Sequence, residues 1–443
     1  MKRKAEKIGM RCMLMAALSP LTALTVSWPC AEGQQLPPHY AVTALGTLGG
    51  TQGSAYGINN KRWVTGAANL QGDQTEHAVL WRNGVITDLG TLGGSNGSAG
   101  FPFKNDRGLI AAFGQTPIPD PLAEGWNFFC TLSGNLCQGT NLIQGGFLWV
   151  DGVKTPMPTL GGNNGTASSI NNLGQVVGFA ENAIVDPNCI APQVLDIKAV
   201  MWSPWDHEIQ ELLPFSGDSV AGALAINDRG QVVGTSGSCA PISPAIGAHA
   251  VLWQTSSAVT YLGSLGGTLS NVAYDINNSG QVVGVSGLPG DATARAFLWE
   301  NGAMSDLGTL PGDFLSVAFS INDNRQVVGQ SCDQSGNCRA FVWQNGVMTD
   351  LNAVVSHRPS LYLISANDIN DLGDIVGQAF DPSTGSAPAF LATPALDTNS
   401  SGDEAAQLSG DTLPKVILPE TVRKQLRQRW YFGLLGHGSV RPQ

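Results

Sequence analysis

The chain has 443 residues, of which 55 are glycine and only 13% carry charge, so frequent turns and little helical surface are expected. Its formal net charge of −11 argues against nucleic acid and anionic lipid as partners, because an acidic surface repels both. The length alone suggests two or three domains, but a repeat of about fifty residues points to one assembly of similar units.

The N-terminus has the pattern of an export signal. Five basic residues lie within the first eleven, and the apolar run from Cys12 to Val26 is short for a transmembrane helix. We predict a signal peptide over residues 1–31, an extracellular or periplasmic mature chain, and no membrane span in that chain. The alternative is a buried start or an uncleaved anchor. Loss of residues 1–31 would change the net charge from −11 to about −15.

One unit recurs over residues 32–395, and Ser270 to Gly312 is a complete copy of it. Its four runs are strand-length and rich in β-branched, aromatic or aliphatic residues; they cover 271–276, 281–285, 295–299 and 303–307. Asn301-Gly302 separates the last two runs and favours a two-residue hairpin turn. The unit therefore predicts a four-stranded sheet.

Two recurring motifs, which we call landmarks, show that the unit occurs seven times. The first run ends in Ile-Asn at 58–59, 170–171, 226–227, 276–277, 321–322 and 369–370, with a degenerate copy at Lys104-Asn105. The third run ends in tryptophan at Trp81, Trp149, Trp202, Trp253, Trp299 and Trp343, and a seventh copy at 389–392 lacks it. We expect these tryptophans to pack between neighbouring units rather than to bind a ligand.

The fourth run is shifted relative to the other three. Six copies end near Leu89, Pro158, Leu212, Leu262, Leu307 and Leu351, and the seventh is the N-terminal run that ends at Leu45. Because no fourth run follows Ala392, the N-terminal strand is expected to complete the last unit. A β-propeller seals its ring in this way and leaves no open sheet edge. The fold class predicted is all-β, a seven-bladed β-propeller of about fifty-residue repeats.

Six cysteines remain after residues 1–31, and all are predicted to lie in the loops between the second and third runs. In an exported chain they predict three disulfides: Cys130 with Cys137, Cys189 with Cys239, and Cys332 with Cys338. No cluster has the spacing of a zinc site, so metal binding is not expected.

The longest of these loops, residues 113–143, concentrates aromatic residues next to Cys130. Trp126, Phe128 and Phe129, held in place by a disulfide, form a candidate ligand-binding site that could stack on a sugar or on a partner's side chain. The alternative is a local mini-core beneath a long loop.

The repeat stops after Ala395, and residues 396–443 are predicted to be a flexible linker and a short basic helix. Residues 397–410 are polar with glycine and serine. From Pro419 to Leu435, basic residues alternate with apolar ones, and proline suits the first position of a helix. We expect this helix to dock on the acidic propeller, or on a surface or partner.

The segments at 77–81, 249–253 and 295–299 (HAVLW, HAVLW and RAFLW), with DLGTLGG at 88–94 and its variant at 306–312, resemble the HAF-repeat family of extracellular repeat proteins. The resemblance covers roughly residues 42–394. It implies export and a repeated β-structure. The family carries no established reaction, so the resemblance implies no catalytic residue.

No motif for nucleophilic catalysis, metal-dependent hydrolysis or phosphate binding is present, so we predict no catalytic residue and no cofactor. His77 and His249 hold equivalent positions in their units, which favours packing. The chain is predicted to be an exported, monomeric binding or scaffold module for an unknown protein or carbohydrate ligand. A carbohydrate-active propeller enzyme, of lyase or glycoside hydrolase type, is the alternative and would need carboxylates converging on the central channel. A cell-surface assembly protein attached by its basic tail is a third possibility.

Overall fold

The computed structural model describes residues 38–124, 126, 141–189, 191–203, 208–240, 243–356, 360–395, 416–420, 422–423 and 426. Across these ranges, 28 strands form seven four-stranded antiparallel sheets, each one a blade of a β-propeller. The predicted fold class, all-β and seven-bladed, is confirmed. A 3-10 turn covers Leu351–Val354.

Blades 1 to 4 are four consecutive strands each, from the innermost strand outward. Their strands are β2 (Gly49–Ile58), β3 (Val64–Leu70), β4 (Glu76–Arg82), β5 (Val85–Gly90), β6 (Gly97–Ala99), β7 (Ile110–Pro119), β8 (Leu142–Val150), β9 (Val153–Pro156), β10 (Gly161–Ile170), β11 (Val176–Val185), β12 (Leu195–Trp202), β13 (Ile209–Leu212), β14 (Val220–Ile226), β15 (Val232–Ala240), β16 (Ser243–Thr255) and β17 (Ala258–Tyr261).

Blades 5 and 6 follow the same order, and blade 7 combines the two ends of the repeat region. Their strands are β18 (Asn271–Ile276), β19 (Val282–Gly287), β20 (Ala294–Glu300), β21 (Ala303–Asp306), β22 (Leu315–Ile321), β23 (Val327–Cys332), β24 (Cys338–Gln344), β25 (Val347–Asp350), β26 (Tyr362–Ile369), β27 (Ile375–Phe380), β28 (Ala389–Pro394) and β1 (Tyr40–Ala44).

The ring closes through β1, which pairs antiparallel with β28 as the outer strand of blade 7. The register runs from Tyr40 opposite Pro394 to Ala44 opposite Phe390, and Tyr40 is fully buried. The predicted closure by the N-terminal strand is therefore confirmed, and this pairing protects the edge of β28.

The hairpin turns form for the local reason that the sequence suggests. Asn301 and Gly302 both have positive φ, 54° and 82°, as a two-residue turn of this hand requires. Arg62 and Arg325 replace glycine in two turns between first and second strands, and they too adopt positive φ. Each forms an ion pair, Arg62 with Asp374 and Arg325 with Glu300, which offsets part of the conformational cost.

The Val-Val-Gly pattern of the second strands has a packing cause. In blade 5 the first strand bulges at Tyr274, between the pairs Ala273–Gly284 and Asp275–Val283. A Cβ added at Gly284 would overlap the carbonyl oxygen of Val272 on that strand. The equivalent glycines in five other blades face the same overlap, and they are Gly66, Gly178, Gly234, Gly329 and Gly377. Glycine is required at this position because the bulged backbone approaches so closely.

The tryptophans that end the third strands pack between neighbouring blades, as predicted. Trp253 of blade 4 lies in one apolar cluster with Val177 and Ala199 of blade 3. Its indole Nε1 donates a hydrogen bond to the carbonyl oxygen of Leu213, which follows the outer strand of blade 3, at 2.7 Å. Trp81 and Trp202 donate in the same way to Gly46 and Pro158. Each indole thus joins an apolar interface to a polar anchor.

Candidate functional site

One end of the propeller carries the turns between the first and second strands, and we call it the belt face. The opposite end carries the connections between second and third strands, and we call it the insertion face. The central channel joins the two faces, since the first strand of each blade lines it.

A closed ring of asparagine side chains surrounds the channel at the belt face. Each side-chain Nδ2 donates to the backbone carbonyl of the equivalent asparagine in the next blade, at 2.7 to 3.1 Å. We call this ring the asparagine belt, and its members are Asn59, Asn105, Asn171, Asn227, Asn277, Asn322 and Asn370. Each Oδ1 also accepts backbone N–H groups of its own turn, as at Asn277 from Ser279 and Gln281. The Ile-Asn landmark is therefore a contact between blades.

A second ring, the outer belt, follows one residue later. The backbone N–H of each member donates to the side-chain oxygen of the member in the next blade, at 2.7 to 2.9 Å. The members are Asn60, Asp106, Asn172, Asp228, Asn278, Asp323 and Asp371. Members of both belts line a cavity of about 50 Å³ at the channel mouth, and Asp228, Asp323 and Asp371 are the carboxylates among its lining residues.

A charged layer lies deeper in the channel. Lys104 stands where six blades have the isoleucine of the landmark, and its Nζ lies 2.9 Å from Asp368 Oδ1 and 3.3 Å from Asp275 Oδ2. Nζ also donates to the hydroxyl of Ser320 at 3.1 Å. Asp275 and Asp368 are buried, with exposures of 1% and 0%. Carboxylates of blades 5 and 7 therefore converge on the channel, where a lysine of blade 2 meets them.

Every oxygen of these two carboxylates accepts a backbone hydrogen bond. Asp275 accepts from the N–H groups of Ile276 and Ile321, at 2.8 and 3.0 Å, and so joins blade 5 to blade 6. Asp368 accepts from Ile369 and Ile58, at 2.9 and 2.8 Å, and so joins blade 7 to blade 1. The charged layer therefore braces the first strands around the channel.

Burial and charge act against each other in this layer. Burial lowers the pKa of Lys104, but attraction to Asp275 and Asp368 outweighs it, so the net pKa is raised and the ammonium group is retained. Burial raises the pKa of Asp275, and the charge of Asp368 adds to that rise against the effect of Lys104. The lysine is what permits two carboxylates to share one buried site.

The insertion end of the channel is apolar. In each regular blade the first strand bulges at one residue, and four of these bulged residues are large side chains that stay partly exposed: Tyr56, Leu224, Tyr274 and Phe319. The ring of Phe101 lies 6.3 Å from that of Phe319, which lies 5.6 Å from that of Tyr274. We call these five residues the aromatic end. Burial raises the pKa of Tyr274 to about 12, so its phenol is neutral.

Described residues of the C-terminal segment lie over this end. Val416, Leu418, Val422 and Leu426 belong to one apolar cluster with Tyr274 and Phe319. A helical turn begins here, since the N–H of Arg423 donates to the carbonyl of Pro419 at 2.9 Å. The segment docks through apolar side chains, whereas the sequence suggested attraction between basic residues and an acidic surface.

The predicted ligand site in the long loop is only partly within the described residues. Trp126 is 5% exposed, packs on Phe179 at a ring distance of 5.7 Å, and donates from Nε1 to Gln193 Oε1 at 3.1 Å. This burial fits the alternative of a mini-core beneath the loop, because the indole has no face open to a ligand. Phe128 and Phe129 lie outside the described residues.

A buried acidic cluster that the sequence did not reveal lies beside Trp126. Glu124 and Glu181 are 1% and 0% exposed, and Gln193 Nε2 donates to both, at 3.0 and 2.9 Å. Glu124 Oε1 also accepts the N–H groups of Val194 and Leu195. Burial, and then the charge of Glu124, raises the pKa of Glu181 to about 7, although the bond from Gln193 opposes the rise. Gln193 therefore joins two buried carboxyls, and the charge of each raises the cost of ionising the other.

Two of the three predicted disulfides are present, Cys189–Cys239 between blades 3 and 4 and Cys332–Cys338 within blade 6. Cys130 and Cys137 lie outside the described residues. The prediction that all six cysteines lie in loops was wrong for Cys239, Cys332 and Cys338, because strand pairing continues into those positions. Asp186 lies close to the sulfurs of Cys189 and Cys239, but bonded sulfurs offer no thiolate to a metal.

His77 and His249 have structural surroundings, as predicted. Nδ1 of His77 lies 3.0 Å from Asp88, and Nδ1 of His249 lies 2.8 Å from Asp218. At the same position of blade 6, Arg339 pairs with Asp313 and Asp350. In these three blades this position ties the third strand to nearby carboxylates.

No family model matches the sequence, and no curated protein matches it. TolB from Acinetobacter baumannii is similar in structure, with 11% identity over 66% of this chain and 61% of its own, and a TM-score of 0.38. A puromycin hydrolase has 12% identity over 77% and 53% of the two chains, and a TM-score of 0.47. An oligogalacturonate lyase in complex with manganese has 13% identity over 83% and 99%, and a TM-score of 0.46. This chain spans about three fifths of TolB and about half of the hydrolase.

These likenesses concern the fold, and the resemblance to HAF repeats stays a prediction. Among the residues that the structure describes, no helix has both the length and the apolar character needed to cross a membrane.

Proposed function

We propose that this chain is an exported β-propeller of the HAF-repeat type that binds a ligand at the aromatic end of its channel. The observation that carries the proposal is a set of large side chains that stay partly exposed: Tyr56, Leu224, Tyr274 and Phe319 on otherwise buried first strands, and Phe101 just after β6. Partly exposed aromatic rings suit a sugar ring or the apolar side chains of a protein.

The rest of the channel supports binding rather than catalysis. A general acid or nucleophile needs a carboxyl oxygen that faces substrate. All four oxygens of Asp275 and Asp368 accept backbone hydrogen bonds, and Lys104 forms an ion pair with both side chains. The basic, apolar N-terminus and the two disulfides support export.

The experiment is a thermal-shift screen of the full chain against glycans and peptides. Specific binding raises the melting temperature by linkage. Phe319→Ala should abolish a shift that the wild type shows, whereas Trp63→Ala, an aromatic substitution at the belt face, should leave it unchanged. A ligand whose shift survives Phe319→Ala and Tyr274→Ala would place the binding surface elsewhere.

A carbohydrate-active enzyme is the second candidate, because two carboxylates do converge on the channel as that alternative requires. It predicts release of sugar fragments from a polysaccharide, and loss of that release in Asp275→Asn. A sugar that shifts the melting temperature without being cleaved would favour the binding module.

A further inference from the structure

The structure points to a helix-binding groove on blades 5 to 7 of the insertion face, which the chain's own C-terminal segment occupies as a releasable ligand. We infer that this groove also accepts a separate helix of the same apolar pattern in exchange. The inference rests on the proposed function, since the groove adjoins the aromatic end, and it names the ligand class as a helix with apolar residues four positions apart.

The apolar pattern of the segment matches its burial. Leu418 and Leu426 are 1% and 2% exposed and lie eight residues apart, with Val422 midway between them. Val422 and Leu426 are four residues apart and share one face of the helix, and Leu418 lies two residues before its first helical residue, Glu420. Ile417, the neighbour of Leu418, is 76% exposed, so the stripe is one-sided.

The groove is built from the starts of three first strands. Val272 of β18, Leu315 and Val317 of β22, and Ile364 of β26 belong to the same apolar cluster as the segment. A polar contact sets the register, because the N–H of Leu418 donates to Asn337 Oδ1 at 3.0 Å. Asn337 is held in turn by Asp333, which bonds both its backbone N–H and its side-chain amide at 2.9 Å. The acceptor is therefore positioned by the blade and not by the segment.

The segment is an addition to a ring that is already complete. β1 closes blade 7 by pairing with β28, which ends at Pro394. Twenty residues, 396–415, separate that strand system from the segment, and their composition is that of a linker. Because the blades hold one another through belts, tryptophans and β1, release of the segment removes no strand from any sheet.

The test uses the full chain and a fluorescent peptide of residues 416–430. Leu418→Asp in the full chain should empty the groove, so that the labelled peptide binds this variant at least about tenfold more tightly than it binds wild type. Ile417→Asp is the matched control and should behave as wild type. A peptide carrying Leu418→Asp should bind the emptied groove at least about tenfold more weakly than one carrying Ile417→Asp.

A second route avoids any change in the groove or the segment. A protease site placed within 396–415 allows the linker to be cut, after which labelled peptide should exchange with the severed segment. Equal binding to cut and uncut protein, or unfolding of the blades when the segment leaves, would overturn the inference. If a glycan still shifts the melting temperature through Phe319 while no peptide exchanges, the proposed function stands and this inference falls. If the peptide exchanges but no glycan or other peptide shifts the melting temperature through Phe319, this inference stands and binding at the aromatic end falls.

Discussion

At the belt face all seven blades repeat one set of contacts, whereas at the insertion face each blade makes its own. The asparagine belt and the outer belt each run through every blade without a gap. The insertion face instead carries two disulfides, a buried acidic cluster and a docked C-terminal segment, none of which recurs in all seven blades. A ring can thus be fixed in size at one end and left free to vary at the other.

The largest loss of stability is expected in the charged layer, which lies between the two faces. Lys104→Met should lower the free energy of unfolding by about 3–5 kcal/mol, because it leaves two buried carboxylates without a cation. Urea unfolding measures the loss. Adding Asp275→Asn and Asp368→Asn to Lys104→Met should recover part of it. A loss below about 1 kcal/mol in the single variant would mean that the layer is not a brace.

The disulfide between blades 3 and 4 tests how far the insertion face stabilises the ring. Its cysteines are 50 residues apart, so replacing both by serine should cost roughly 4 kcal/mol by the chain-entropy estimate. Cys332–Cys338 spans 6 residues, and the same double replacement there should cost roughly 2 kcal/mol. Thermal unfolding of both double variants compares them, and equal losses would contradict the argument from loop length.

The belts predict a graded effect at the other face. Asn277→Ala removes a donor to Asn322 and the acceptor for two N–H groups of its own turn, so a loss of about 1–3 kcal/mol is expected. Asn278→Ala removes one exposed bond to Asp323 and one part-buried bond from Asp228 N–H, and keeps its own backbone bond, so it should cost less than about 1 kcal/mol. If urea unfolding showed a larger loss of stability for Asn278→Ala than for Asn277→Ala, the outer belt would be the stronger link between blades.

The buried acidic cluster at the insertion face predicts that the free energy of unfolding depends on pH. The folded-state pKa of Glu181, about 7, lies above its ordinary value of 4.5, so the folded protein binds the proton more tightly than the unfolded chain does. The stabilising contribution of Glu181 is therefore fully present below about pH 4.5, falls as the pH rises towards 7, and is lost above it, by an amount on the order of 2 kcal/mol.

Glu124→Gln should flatten that dependence. Its amide oxygen can keep the three donors now bound to Glu124 Oε1, while the charge that helps to raise the pKa of Glu181 is removed. Urea unfolding at about pH 5 and about pH 8 should show a smaller difference in Glu124→Gln than in wild type. Glu211→Gln, on β13 away from this cluster, is the control and should keep the wild-type difference.

Repetition decides what the sequence could predict. Blade 5 has strands at 271–276, 282–287, 294–300 and 303–306, within one or two residues of the predicted runs, because turn residues recur at fixed positions in each unit. Ring closure followed from the missing fourth run after Ala392. The belts were visible as the Ile-Asn landmark, but their hydrogen bonds join residues about fifty positions apart and need the ring to be understood.

The features that the sequence did not predict lie where a unit departs from the repeat. Lys104 breaks the isoleucine position in blade 2, and its partners Asp275 and Asp368 precede the landmark in blades 5 and 7. A lysine in place of a buried isoleucine signals a buried anion, although sequence alone does not say which blades face each other across the channel. Glu124 and Glu181 gave no comparable signal, because the loop that holds Glu124 has no counterpart in other units.

The pairing of β1 with β28 also has a consequence for the order of folding steps. Tyr40 to Ala44 leaves the ribosome before any blade exists, and its partner at Ala389–Pro394 emerges last. Until then one strand has no sheet and one sheet has no final strand, so both edges can pair with other chains. Closure of so long a loop is a late step, and a chain truncated before Pro394 should aggregate rather than form a shorter ring.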